Sequence, residues 1–201
     1  MGHAFGDIAF TPTVKALQDA NGSRSNYARM AERTDPPDVG LTDAEAAFIG
    51  ARDSFYMATV GETGWPYVQH RGGPAGFVRV LDAQTIGFAD FIGNRQYVSV
   101  GNLTTDDRVS LFFMDYPNRR RLKLLGHVRL IDPAGEPELL ERLSVPGYKA
   151  RVQRGFSIKV AAFDWNCPQH ITPRYTEADV TQVVSGLTAR IAELEARLAG
   201  G

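Results

Sequence analysis

From Asp53 to about Trp165, apolar and polar positions alternate in short runs, each closed by Gly, Pro, Asn or Asp. Ser54–Val60, Tyr67–His70, Phe77–Leu81, Thr85–Ala89, Val109–Met114, Leu122–Ile131 and Ser157–Trp165 are rich in β-branched and aromatic residues, which suit a pleated, half-buried surface. Short strands with tight turns predict a closed or partly closed barrel. Two stretches break the alternation and predict helical inserts, Gln96–Leu103 and Glu136–Leu143, the second after the turn Asp132-Pro133-Ala134-Gly135.

The flanks are patterned as helices. Thr11-Pro12 places a capping hydroxyl before a proline suited to the first helical position, and Asn21-Gly22 supplies a stop, so Pro12–Ala20 is a short helix. A second is expected near Asn26–Glu32, ended by Thr34-Asp35-Pro36-Pro37. Thr42-Asp43-Ala44-Glu45 then has the spacing of a capping box and predicts a helix to about Ala51. Beyond Thr176, Val184, Leu187, Ile191, Leu194 and Leu198 recur every three or four residues, with Glu193 and Arg197 one turn apart for an outward ion pair. Two heptads are short for a free coiled coil, so this helix is expected to dock on its own barrel or on a partner subunit. Three parts follow: residues 1–50 helical and packed on the barrel, 51–170 the barrel domain, and 171–201 the C-terminal helix.

Composition narrows the function classes. With 22 Lys+Arg against 23 Asp+Glu in 201 residues there is no global field to gather nucleic acid, so clustered arginines are expected to serve one small anion. A lone cysteine, Cys167, excludes an intramolecular disulfide and a Cys-only metal site, which fits a reducing compartment. The N-terminus lacks a secretory profile and no apolar run approaches the roughly 18 residues of a membrane span, so the sequence predicts a cytoplasmic protein with no membrane or nucleic-acid partner and no metal.

Three basic turns border the predicted strands: Gln69-His70-Arg71-Gly72-Gly73, Gly93-Asn94-Arg95-Gln96 and Asn118-Arg119-Arg120-Arg121. Guanidinium forks and glycine-exposed N–H groups are what a phosphate needs, and three such turns on one barrel predict a pocket for a phosphorylated flat cofactor. Each also has a plain structural use. A basic turn is ordinarily solvated, Phe88 and Ala89 would be core residues in any barrel, and His70 is more often hydrogen-bonded than catalytic.

The order Asp53-Ser54-Phe55-Tyr56-Met57-Ala58-Thr59-Val60, Gly64-Trp65-Pro66-Tyr67, Gly93-Asn94-Arg95-Gln96-Tyr97, Gly101-Asn102-Leu103, Arg121-Leu122-Lys123-Leu124-Leu125-Gly126 and Trp165-Asn166-Cys167-Pro168-Gln169-His170-Ile171 resembles the pyridoxamine 5′-phosphate oxidase-related FMN-binding proteins over about residues 45–175. The resemblance implies a mainly β, antiparallel split β-barrel that forms a homodimer, with two FMN molecules in clefts at the subunit interface. It implies phosphate contacts from Gln69, His70 and Arg71, although the glycine-rich insertion from Gly72 to Gly76 displaces a second cation of the oxidases. It further implies backbone contacts to the flavin from Phe88 and Ala89, and phosphate contacts from Asn94 and Arg95, where the oxidases carry an Arg-Lys pair. Arg121 and Leu122 fall beside the ring, and Trp165, Cys167 and Gln169 are expected on one side of an extended segment facing it.

The resemblance weakens near the end of the barrel. The oxidases continue into a segment with Trp, Arg and His that closes over pyridoxal phosphate, whereas this chain runs Ile171-Thr172-Pro173-Arg174-Tyr175 into a helix. What is expected is therefore FMN-dependent redox chemistry on an unidentified small molecule, with vitamin B6 oxidation not assigned and no residue named as acid or base. A flavin carrier or sensor without turnover, a barrel holding deazaflavin or haem, and RNA binding by the arginine turns are the alternatives.

Overall fold

The computed structural model describes residues 3–31, 40–165 and 167–199; the break expected at Thr34–Pro37 and the residue Asn166 lie outside them. In chain order the elements are α1 (His3–Ala9), α2 (Pro12–Ala20), α3 (Arg24–Ala31), α4 (Asp43–Gly50), β1 (Ser54–Val60), β2 (Pro66–Gly72), β3 (Val78–Asp82), β4 (Thr85–Phe91), α5 (Val98–Asn102), β5 (Arg108–Asp115), β6 (Arg120–Ile131), α6 (Pro137–Leu143), β7 (Val152–Trp165) and α7 (Glu177–Ala199). They fall into two units, residues 1–114 with 121–167, and residues 115–120 with 168–201.

The first unit is built on one antiparallel seven-stranded sheet in the order β2-β1-β5-β6-β7-β4-β3. It curls into a split barrel. Phe55 on β1 and Phe88 on β4 are separated by three strands in that order, yet their rings lie 5.2 Å apart, edge to face. Phe113 and Phe77 pack on Phe55, and Phe156 stacks on Phe88 at 4.8 Å, so five fully buried phenylalanines fill the inside. Aromatic burial on this scale supplies much of the stabilisation of a barrel this size.

Curling needs a break in the ladder. The β6–β7 register shifts between Leu125 and Gly126, and a Cβ at Gly126 would lie 2.6 Å from the Lys159 carbonyl oxygen, so only glycine lets the two strands approach there.

Local signals set the helices around the barrel. Thr11 accepts from the Val14 N–H at 3.3 Å ahead of α2, and the capping box of α4 is complete, with the Thr42 N–H donating to Glu45 at 3.0 Å. α1 packs on the barrel: Ala4 and Phe5 bury against Ala162, and the Lys123 ammonium sits 4.3 Å from the centre of the Phe5 ring.

In the second unit, Asn118 donates to the Asp115 carboxylate at 3.0 Å, and the Arg174 guanidinium lies 4.9 Å from the centre of the Tyr116 ring. Thr176 caps α7, accepting from the Asp179 N–H at 3.1 Å while Asp179 accepts from the Thr176 N–H at 2.9 Å. No residue of α7 is buried.

Candidate functional site

Strand alternation divides the first basic turn. Tyr67, Gln69 and Arg71 share the half-buried face of β2, while Val68, His70 and Gly72 take the exposed face. His70 accordingly packs edge-on against Tyr56 at 5.6 Å, away from the other two. The half-buried face lines a partly open cleft with a cavity volume of about 90 Å³, completed by Asp90 and Phe91 of β4, the loop Gly93–Tyr97, the first turn of α5 and Gln153 of β7. That is smaller than a whole small-molecule site and of a size for one polar group of a ligand.

Arg71 is the best-anchored cation in it. Its Nη1 donates to Asp90 Oδ1 at 2.5 Å, and the guanidinium lies 5.1 Å from the Phe156 ring centre and 5.9 Å from that of Phe88. Arg154 approaches the other carboxylate oxygen of Asp90 at 3.6 Å and lies 5.4 Å from the Tyr97 ring centre. Burial pushes the Asp90 carboxyl above its ordinary pKa, opposed by the two guanidinium groups. Two cations on one carboxylate leave the cluster with an excess positive charge. The Arg71 Nε is buried without a hydrogen-bond partner, whereas the Arg154 Nε is the atom that faces Asp90.

The remaining polar groups are braced. Ser99 Oγ donates to Gln69 Oε1 at 2.8 Å, which leaves the Gln69 amide nitrogen as the group able to donate onward, and Gln153 Nε2 donates to the Tyr97 hydroxyl at 2.8 Å. The loop is bent to fit: Arg95 and Tyr97 both hold positive φ, at 62° and 56°, and Asn94 Oδ1 accepts from the Gln96 N–H at 3.3 Å. Left-handed backbone at two non-glycine residues within three positions is costly, and such strain gathers at ligand-binding loops.

Of the residues singled out in the sequence, Gln69, Arg71, Asn94 and Arg95 come together in this pocket. Phe88 lies in the core beneath Arg71, and Ala89 is buried with Ile131 and Leu143. Arg121 is half-buried on β6 and does not line the pocket, while Leu122 is fully buried opposite Trp165. Trp165 donates its indole N–H to Glu45 at 2.6 Å and packs edge-on against Phe48 at 4.7 Å. Cys167 and Gln169 are exposed.

Asp90, Tyr97, Ser99, Gln153 and Arg154 were not singled out. Asp90 had a signal in the sequence: a carboxylate inside the apolar run Ile86–Phe91 must find a cation if the strand is buried. Among the described residues no group of three His, Cys, Asp or Glu side chains is placed to hold a metal ion, and no helix is long and apolar enough to cross a membrane.

Residues 41–163 match the sequence model of the pyridoxamine 5′-phosphate oxidase family, and the chain belongs to that family. No curated protein matches it. Among solved structures, HupZ of Group A Streptococcus aligns with a TM-score of 0.51 at 14% identity, over 67% of this chain and 99% of its own. An FMN-binding protein of Syntrophomonas wolfei aligns at 0.46 and 13% identity, over 74% and 97%, and a structure named F420 reductase at 0.44 and 19%, over 62% and 98%. At these identities the likeness is one of fold.

Proposed function

We propose that this chain is an FMN-binding oxidoreductase that seats the cofactor's phosphate in the pocket between β2, β4, the loop Gly93–Tyr97 and the start of α5. The observation that carries the reading is the cationic cluster of Arg71 and Arg154 on the single carboxylate of Asp90, set beside Arg95 and Asn94 at the exposed rim. A phosphate matches that donor set. It accepts from several directions at once, and charge-assisted bonds to guanidinium are the strong ones. Family membership supports the same assignment.

Bound FMN would supply two-electron chemistry at its ring. The chain's own part is to bind and orient. Asp90 and the stacked Phe88 and Phe156 rings hold Arg71 in one place, so little side-chain entropy is left to lose on binding. Ser99 fixes the Gln69 amide in the same way. The excess positive charge of the Arg71–Asp90–Arg154 cluster favours an anionic ligand over a neutral one. No side chain is assigned as acid or base, and the substrate is a small molecule left unnamed. A homodimer with the flavin at the subunit interface belongs to the same reading.

The visible spectrum of the purified protein tests it, together with titration of the apo-protein. One FMN per chain and the two-banded absorption of oxidised flavin are expected. A Soret band, a deazaflavin spectrum, or a colourless protein that takes up no FMN contradicts the assignment.

A further inference from the structure

The C-terminal helix carries a surface that the barrel site does not use. Along α7 the apolar residues Val180, Val184, Leu187, Ile191, Leu194 and Leu198 are between 42% and 84% exposed, which makes one continuous wet stripe of six positions. Their spacing of four and three residues is the heptad seam. Val184, Ile191 and Leu198 fall at the a positions, and Val180, Leu187 and Leu194 at the d positions.

We propose that α7 pairs with α7 of a second copy of this chain, side by side and parallel, as a short two-stranded coiled coil. Two independent features select that occupant. The first is side-chain shape: β-branched residues at a with leucine at d favour parallel dimers, and this helix has Val184 and Ile191 at a with Leu187 and Leu194 at d. The second is charge. In a parallel pair each g residue faces the e residue five positions further along the other helix, so Arg190 meets Glu195 of the partner subunit, and the two-fold axis makes that contact twice.

Within the single helix Arg190 shares Glu193 with Arg197, at 2.5 and 3.6 Å, so the seam can close without breaking a buried pair. The outward positions bear small or polar residues, among them Gln182, Ser185, Gly186 and Ala189. A pair of this length is marginal alone. It needs the rest of each chain to raise the local concentration of the second helix, which a two-fold axis shared with a barrel dimer provides.

Cysteine cross-linking in the full-length protein tests orientation and face together. In a Cys167→Ser background, Val180→Cys and Leu198→Cys are made singly near the two ends of the seam, with Ala189→Cys on the outer face as control. A parallel pair brings like positions at both ends within disulfide reach, so mild diamide oxidation links both end variants about tenfold faster than the control. A second measurement uses charge: Glu195→Arg weakens dimerisation several-fold by sedimentation, and adding Arg190→Glu restores it. End variants that link no faster than Ala189→Cys overturn the proposal, whether the protein runs as a monomer or as a dimer held elsewhere. Neither readout depends on bound flavin.

Discussion

Arg71 and Asp90 meet at 2.5 Å although β2 and β4 stand at positions one and six of the seven-stranded order. The pair spans the open side of the split barrel, with four strands between its two members the other way round. Both side chains are nearly buried, at 13% and 10% exposure, so neither can turn to water if the other is lost. Asp90→Ala should therefore cost about 3–5 kcal/mol in urea unfolding, mostly from the uncompensated guanidinium. Asp90→Asn, which keeps the shape and an acceptor, should cost clearly less. Equal and small losses for both would show that the pair is not what joins β2 to β4.

A second buried carboxylate makes stability depend on acid. Burial by itself raises the pKa of Glu45, but hydrogen bonds from Thr42 and from the Trp165 indole outweigh it and hold the group below its ordinary value of 4.5. A depressed folded-state pKa means that the contribution is complete above the unfolded value and is lost as pH falls through the folded one. Glu45→Gln should cost about 1–3 kcal/mol at neutral pH, the worth of hydrogen bonds to a charged acceptor. The difference from the parent should shrink as pH falls below the usual glutamate range. Trp165 emission offers a local probe, since Trp65, the other tryptophan, is 74% exposed. A difference that stays constant down to strong acid would contradict the assignment.

The β6–β7 bulge allows a test that leaves the site untouched. Alanine at position 126 must push its Cβ into the Lys159 carbonyl at 2.6 Å and the Ile158 side chain at 2.8 Å. Backbone cannot swing aside as a long side chain can, so Gly126→Ala should destabilise by roughly 1–3 kcal/mol in the same unfolding assay. Gly186→Ala has nothing within 4 Å to meet and should, by contrast, be neutral or stabilising. Equal effects at the two glycines would argue against the bulge.

The elements with their own punctuation were legible in the sequence. Ser54–Val60 and Pro12–Ala20 appear with the expected bounds, and α4 follows its capping box. Elements made by tertiary contact were not. α1 was unexpected because its hold is the packing of Phe5 and Ala4, and β7 begins at Val152 instead of Ser157 because Arg154 and Gly155 pair with Asp90 and Ala89 on β4. The same distinction runs through the site. Gln69, Arg71, Asn94 and Arg95 could be read from local composition, whereas Asp90, Ser99 and Gln153 reach the pocket only because the sheet curls.

The central claim is that this pocket holds the phosphate of FMN, and comparing FMN with riboflavin isolates that group. Arg95 suits the test because it is exposed at the pocket rim, so its loss removes a phosphate contact without leaving a buried charge unpaired. Equilibrium titration of the apo-protein should show FMN bound more tightly than riboflavin. Arg95→Ala should weaken FMN by about 1.5–3 kcal/mol, roughly ten- to hundredfold, and leave riboflavin unchanged. Equal affinity for the two flavins in the parent protein, or an Arg95→Ala variant that binds FMN as the parent does, would contradict the account.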